Sequence, residues 1–138
     1  MVFNDSTNDR AWEVDNFLGA NYGANKSSYN AISFSWMDTP LTANHWLLSP
    51  KMNKGLELLQ YSAYFPNPEK YDVYIVKAPT DGIKPTLEHI KAGKIVYSSD
   101  PSEKVTTFVN REIDISQHTQ EDFYIAFHHK TTDQDNGL

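Results

Sequence analysis

One stretch near the end of the chain, Asp122-Phe-Tyr-Ile-Ala-Phe-His-His-Lys-Thr-Thr-Asp133, constrains the fold more than any other. The apolar and aromatic run from Phe123 to Phe127 has the length and β-rich content of a buried sheet strand. Within two residues the chain turns to histidines, lysine, threonines and aspartates, the composition of a polar loop. A core strand that delivers a carboxylate-bearing loop is where a β-sandwich places its function.

The preceding chain supplies the other strands of such a sandwich. Val2-Phe3 runs into the turn formers Asn4 to Asp9, and Ala11-Trp-Glu-Val14 reads as a short strand. Asn16 to Asn30, with Gly19 and Gly23, reads as a long loop. Ala31 to Trp36 alternates with period two, placing Ile32, Phe34 and Trp36 on one face and Ser33 and Ser35 on the other. Trp46 to Leu48 is a short apolar strand stopped by Pro50, followed by a bend over Lys51 to Gly55. Leu56 to Tyr64 is leucine-rich, yet its alternation favours a strand. With Tyr71 to Ala78, across the Pro66 and Pro68 turn, it is expected to form a long hairpin. Pro85 and Gly93 bracket the one credible helix, within Lys84 to Gly93. Lys94 to Tyr97, Lys104 to Val109 and Arg111 to Ser116 read as three further strands, the last turning Ile113 and Ile115 inward. About eight short strands with almost no helix predict an all-β fold, an antiparallel jelly-roll β-sandwich.

Composition narrows the function classes. A chain of 138 residues fits one domain, with a core that needs no staples. With no cysteine there is neither a disulfide nor a thiolate metal site. Eighteen acidic against 12 basic residues give a formal net charge of −6, which argues against nucleic acid as a partner and suits cations better. No apolar run is long enough for membrane insertion as a helix, and the first residues show no signal-peptide pattern.

The order of these pieces resembles the cleaved adhesin domains, which also fall among the choice-of-anchor J jelly-roll modules of secreted Bacteroidetes proteins. The resemblance rests on Ala11-Trp-Glu-Val14, Asn30-Ala-Ile-Ser-Phe-Ser-Trp36, Asn44-His-Trp-Leu-Leu-Ser-Pro-Lys-Met52, Tyr71-Asp-Val-Tyr-Ile-Val76 and Phe123-Tyr-Ile-Ala-Phe-His-His129. It implies a galactose-binding-like jelly roll that binds calcium structurally and belongs to secreted or cell-surface proteases and adhesins. Neighbouring domains of a larger exported protein and a host protein or glycan are the partners it implies. Against the family pattern, the first strand is reduced to Val2-Phe3 and the last leucine-rich strand and its Asp pair are missing, so parts of both are expected to be clipped.

Calcium needs several hard oxygen ligands gathered from loops. Asn4, Asp5, Asn8, Asp9, Asp133 and Asp135 offer them, although on residue type alone these are turn formers on solvated loops. The resemblance shifts the reading to a calcium site built from the N-terminal loop and the loop after Phe127, with Asp5, Asp9 and Asp133 as ligands. His128 and His129 are adjacent on a strand and face opposite ways, so they do not grip one metal. His45, His89 and His118 stand isolated and receive no role. The absence of Gly-x-Ser-x-Gly, His-Glu-x-x-His and cysteine argues against an enzyme. Tyr22, Tyr29, Tyr64 and Phe65 lie in or beside loops and offer a stacking platform for a sugar, or else cover the ends of the sandwich. The leading expectation is a non-catalytic adhesin-type domain, calcium-stabilised. The alternatives are a carbohydrate-binding module of a secreted glycan-degrading enzyme or protease, and a structural spacer.

Overall fold

The structure, a computed structural model, describes residues 2–4, 12–15, 30–33, 43–65, 68–80, 82–100 and 102–131. Among the described residues its strands are β1 (Val2–Asn4), β2 (Glu13–Asp15), β3 (Asn30–Ile32), β4 (His45–Leu48), β5 (Leu58–Phe65), β6 (Tyr71–Lys77), β7 (Lys94–Ser98), β8 (Val105–Asp114) and β9 (Phe123–His129), with one α-helix, α1 (Leu87–Lys91), and a short 3-10 helix, Ser116–His118. They form a five-stranded sheet in the order β1-β4-β9-β6-β7 and two ribbons, β2-β3 and β5-β8. Every pairing is antiparallel. The fold is an all-β sandwich.

β6 explains the layering. Its first six residues are all buried, so both faces of the strand need cover and it needs a neighbour on each side. Tyr71, Val73 and Ile75 face one way and pack with Phe123 and Ile125 of β9 against Phe65, Ile113 and Ile115 of the ribbon side. Tyr74 and Val76 face the other way and meet Trp46, Leu48, Ala126 and Ile90. The five-stranded sheet therefore has the β5-β8 ribbon on one face and α1 on the other. Thr86 caps α1, its hydroxyl accepting the His89 N–H at 3.2 Å, and Ile90 is the residue the helix buries. Just beyond it Gly93 passes so close to the sheet that a Cβ there meets Ile75 O and Val76 Cγ2 at 2.9 Å.

The expected hairpin of Leu56–Tyr64 with Tyr71–Ala78 does not form. β5 pairs with β8, whereas β6 pairs with β7 and β9. The reason is burial: β5 exposes Leu58 and Gln60, so it suits an outer ribbon, whereas β6 suits only the middle of a covered sheet. The expected separate strands 104–109 and 111–116 are one strand, because Asn110 stays in the ladder, its Oδ1 accepting the Ser62 hydroxyl at 2.6 Å. Its inward residues are as expected, with Ile113 and Ile115 both buried. β3 covers Asn30–Ile32, and the rest of the alternating run, Phe34 to Trp36, lies outside the described residues. The bend at Lys54-Gly55 is present, with Gly55 at φ 95°, a left-handed conformation that favours glycine.

Candidate functional site

β1 and β9 both flank β4 and run antiparallel to it, so they run parallel to each other. Asn4 pairs with His45, and His45 with His129. β1 and β9 therefore end at the same pole of the sandwich, about two strand spacings or ~10 Å apart. Past β9 the backbone stays registered, Lys130 N–H donating to Lys70 O and Ala43 N–H to Thr131 O, each at 2.9 Å. Asp5, Asp9, Asp133, Tyr22 and Tyr29 lie outside the described residues. Tyr64 lies within β5, and Phe65 is 6% exposed, its ring inside the core against Tyr71 at 6.2 Å rather than on an open stacking face.

At this pole the structure assembles a histidine network. His45 and His129 are 0% and 5% exposed, on the ribbon-facing side of adjacent strands. Ser33 Oγ lies between them, 2.8 Å from His45 Nδ1 and 2.6 Å from His129 Nδ1, while His129 Nε2 is 2.7 Å from Glu69 Oε2. The Glu69 carboxylate only accepts, so His129 Nε2 carries a proton. In a neutral ring Nδ1 then accepts from the Ser33 hydroxyl, and the Ser33 oxygen accepts from the Nδ1–H of His45. Every hydrogen bond along this path has a donor and an acceptor. Trp12 joins it, donating Nε1–H to His45 O at 3.0 Å and standing edge-on to His129 at 6.4 Å. Ser33 follows β3 and Trp12 precedes β2, so the network latches the β2-β3 ribbon onto the main sheet.

His45 thus has a structural role that its isolated sequence position hides. The register that sets it opposite His129 joins segments more than 80 residues apart, and no local pattern carries that information. A serine, a histidine and a glutamate in series also resemble the parts of a hydrolytic triad, although the sequence carries no nucleophile motif. Here Ser33 Oγ is held between two imidazole nitrogens, so its hydrogen bonds tie three segments of the chain together. The contacts are those of a latch between the β2-β3 ribbon and the main sheet.

His128 faces the opposite side, as strand alternation requires. It stacks on Trp46 with ring centroids 3.8 Å apart and an interplanar angle of 7°, and its Nε2–H donates to Asn44 Oδ1 at 2.6 Å. Its Nδ1 is buried without a hydrogen-bond partner. Burial pushes its pKa down to about 4, against the smaller upward pull of the Asp72 carboxylate. Asp72, opposite His128 on β6 and 2% exposed, takes the Lys130 ammonium at 2.6 Å. An aspartate inside the apolar run Tyr71 to Val76 was a readable sign of such a buried pair. On the ribbon side, Tyr61 and Tyr71 share a hydroxyl hydrogen bond of 2.9 Å, and burial raises both phenol pKa values. Among the described residues no group of three or more His, Asp or Glu side chains is placed to hold a metal, and no helix is long and apolar enough to cross a membrane.

Comparison with solved structures places this architecture. The K2 cleaved adhesin domain of Lys-gingipain superposes with a TM-score of 0.70 over 95% of this chain and 80% of that one, at 18% identity. The K1 and K3 cleaved adhesin domains of Lys-gingipain from Porphyromonas gingivalis W83 give TM-scores of 0.67, covering 97% and 95% of this chain and 82% of each of theirs, at 18% and 16% identity. The chain has the cleaved adhesin fold. No protein-family model and no curated protein matches the sequence.

Proposed function

We propose that this chain is one non-catalytic, adhesin-type binding domain of an exported or cell-surface protein, stabilised by calcium and presenting its polar loops to a host protein or glycan. The observation that carries this reading is the superposition on three cleaved adhesin domains over at least 95% of the chain. The common end of β1 and β9 supports a calcium site shared by the loops that follow them, with Asp5, Asp9 and Asp133 as ligands. Neighbouring domains of a larger protein fit the reading, because the three similar structures are the K1, K2 and K3 domains of one protein, Lys-gingipain.

The test is a binding panel of immobilised extracellular-matrix proteins and glycans, probed with the intact chain in calcium and in chelator. Calcium-dependent binding to at least one surface is the expected result. Absence of binding throughout, or hydrolysis of a nitrophenyl ester that Ser33→Ala abolishes, overturns it in favour of a spacer or an enzyme.

A further inference from the structure

The opposite pole carries a feature that neither the calcium loops nor the histidine latch uses. There β4 and β6 end and β9 begins, and two adjoining grooves of about 440 and 200 Å³ open between the connecting segments. They share Lys51 and Pro79 in their walls. Lys51, Lys54 and Lys77 line the larger groove, and Lys51 and Lys84 the smaller, so four of the chain's 12 basic residues meet at one end of an acidic protein. Among the described residues, Glu121 and Asp122 are the carboxylates of the larger groove. Glu121 pairs with Lys77 at 2.9 Å, and Asp122 accepts the Lys54 backbone N–H at 3.0 Å. The ammonium groups of Lys51, Lys54 and Lys84 have no carboxylate within ion-pairing distance among the described residues, and all three residues are exposed.

The groove is held in shape before any ligand arrives. Met52 and Phe123 exchange both backbone hydrogen bonds, at 2.7 and 3.0 Å. Ala78 N–H donates to Asp122 O and Gly55 N–H to Thr119 O, both at 2.9 Å.

We propose that this groove binds a sulfated or uronic-acid-bearing glycan. The inference deepens the adhesin reading above by naming a ligand class, and it uses a different pole from the calcium loops. Charge complementarity is the first argument, a lysine-rich groove on a protein of net charge −6. The second is the kind of cation. Lysines are flexible point charges that suit dispersed sulfates and carboxylates, whereas bidentate phosphate recognition favours arginine, and among the described residues no arginine lines either groove. The third is the apolar wall. Pro79, the exposed Ile83 and the half-buried Tyr124 offer a surface for the C–H face of a sugar ring beside the hydroxyl of Thr80 and the amide of Gln120. The overall negative charge opposes a long nucleic-acid duplex, which extends well beyond so short a groove.

The experiment measures binding of the intact chain to immobilised heparin, with neutral dextran, poly-glutamate and duplex DNA as comparison probes, over a salt series. The expected results are binding to heparin that weakens with salt, no binding to dextran, and weaker binding to poly-glutamate and DNA. Lys51→Gln with Lys54→Gln and Lys84→Gln weakens heparin binding about ten-fold or more, by removing three charge contacts. Lys70→Gln with Lys94→Gln and Lys104→Gln, which removes the same charge outside the groove, changes it less than about three-fold. Equal loss in both triple variants, an unaffected groove variant, or tighter binding to poly-glutamate or DNA overturns the proposal. Heparin binding absent while the matrix panel remains positive overturns this groove and leaves the adhesin reading standing. Heparin binding lost in the groove variant supports the groove even where the matrix proteins and the other glycans of the panel give no binding, a result that confines the adhesin reading to this ligand class.

Discussion

Ser33→Ala is the sharpest perturbation of the latch. The lost oxygen is the shared partner of two buried imidazole nitrogens, His45 Nδ1 at 2.8 Å and His129 Nδ1 at 2.6 Å. With it gone, a nitrogen of His45 and one of His129 both lose this hydrogen bond at sites 0% and 5% exposed. A buried polar atom stripped of its partner costs about 1–3 kcal/mol, so the two together cost about 2–6 kcal/mol before relaxation. Ser33 itself is half-buried, which lets water restore part of the loss and places the expected value near 2–3 kcal/mol. For a domain of this size that lowers Tm by roughly 6–9 °C. Urea unfolding followed by tryptophan fluorescence reads the change as a lower midpoint at constant slope. A double-mutant cycle of Ser33→Ala with His129→Phe is expected to show coupling above about 0.5 kcal/mol, because both changes remove the same bond. A destabilisation below about 0.5 kcal/mol, or zero coupling, refutes the latch as described.

Other consequences follow from the same geometry. His128, at about 4 when folded against 6.5 in its ordinary state, is neutral in the native protein at pH values where the unfolded chain takes up a proton. The unfolded state then binds more protons, so this group's contribution to stability is complete above about pH 6.5 and is lost as pH falls towards 4. Discounted for solvent screening of a part-buried ring, the loss is about 1–2 kcal/mol, and His128→Phe, which keeps the stack on Trp46, should flatten that part of the stability profile measured by urea titration. Gly93→Ala forces a Cβ into Ile75 O and Val76 Cγ2 and is expected to cost about 1–3 kcal/mol in the same assay. Ile90→Ala removes the one side chain that α1 buries and is expected to cost about 2–5 kcal/mol, exposing the Trp46 and Val76 face to amide exchange.

Where strand identity depends on local alternation and turn residues, the sequence reading and the structure agree. Tyr71 to Lys77, Lys94 to Ser98 and Phe123 to His129 are strands, and the expected helix, α1, lies between Pro85 and Gly93. Pairing is where they part. Whether β5 joins β6 or β8 is decided by which strand is covered on both faces, and that depends on the helix and ribbon that cover β6 rather than on its flanking turns. The same holds for the latch. Ser33, His45, Glu69 and His129 come from four distant segments, and their chemistry exists only once β4 and β9 are in register. Adjacent histidines facing opposite ways was legible from strand geometry, because alternation is a local property.

Calcium dependence is the most direct test of the proposed function. Thermal unfolding of the intact chain is measured across millimolar calcium and in excess chelator, beside Asp133→Asn. A native state that binds calcium gains about 2.7 kcal/mol at a hundred-fold excess over Kd, which raises Tm by several degrees. The expected result is a midpoint that climbs with calcium, falls back in chelator, and responds weakly or not at all in Asp133→Asn. A midpoint unchanged across the whole calcium range contradicts the calcium-stabilised adhesin account.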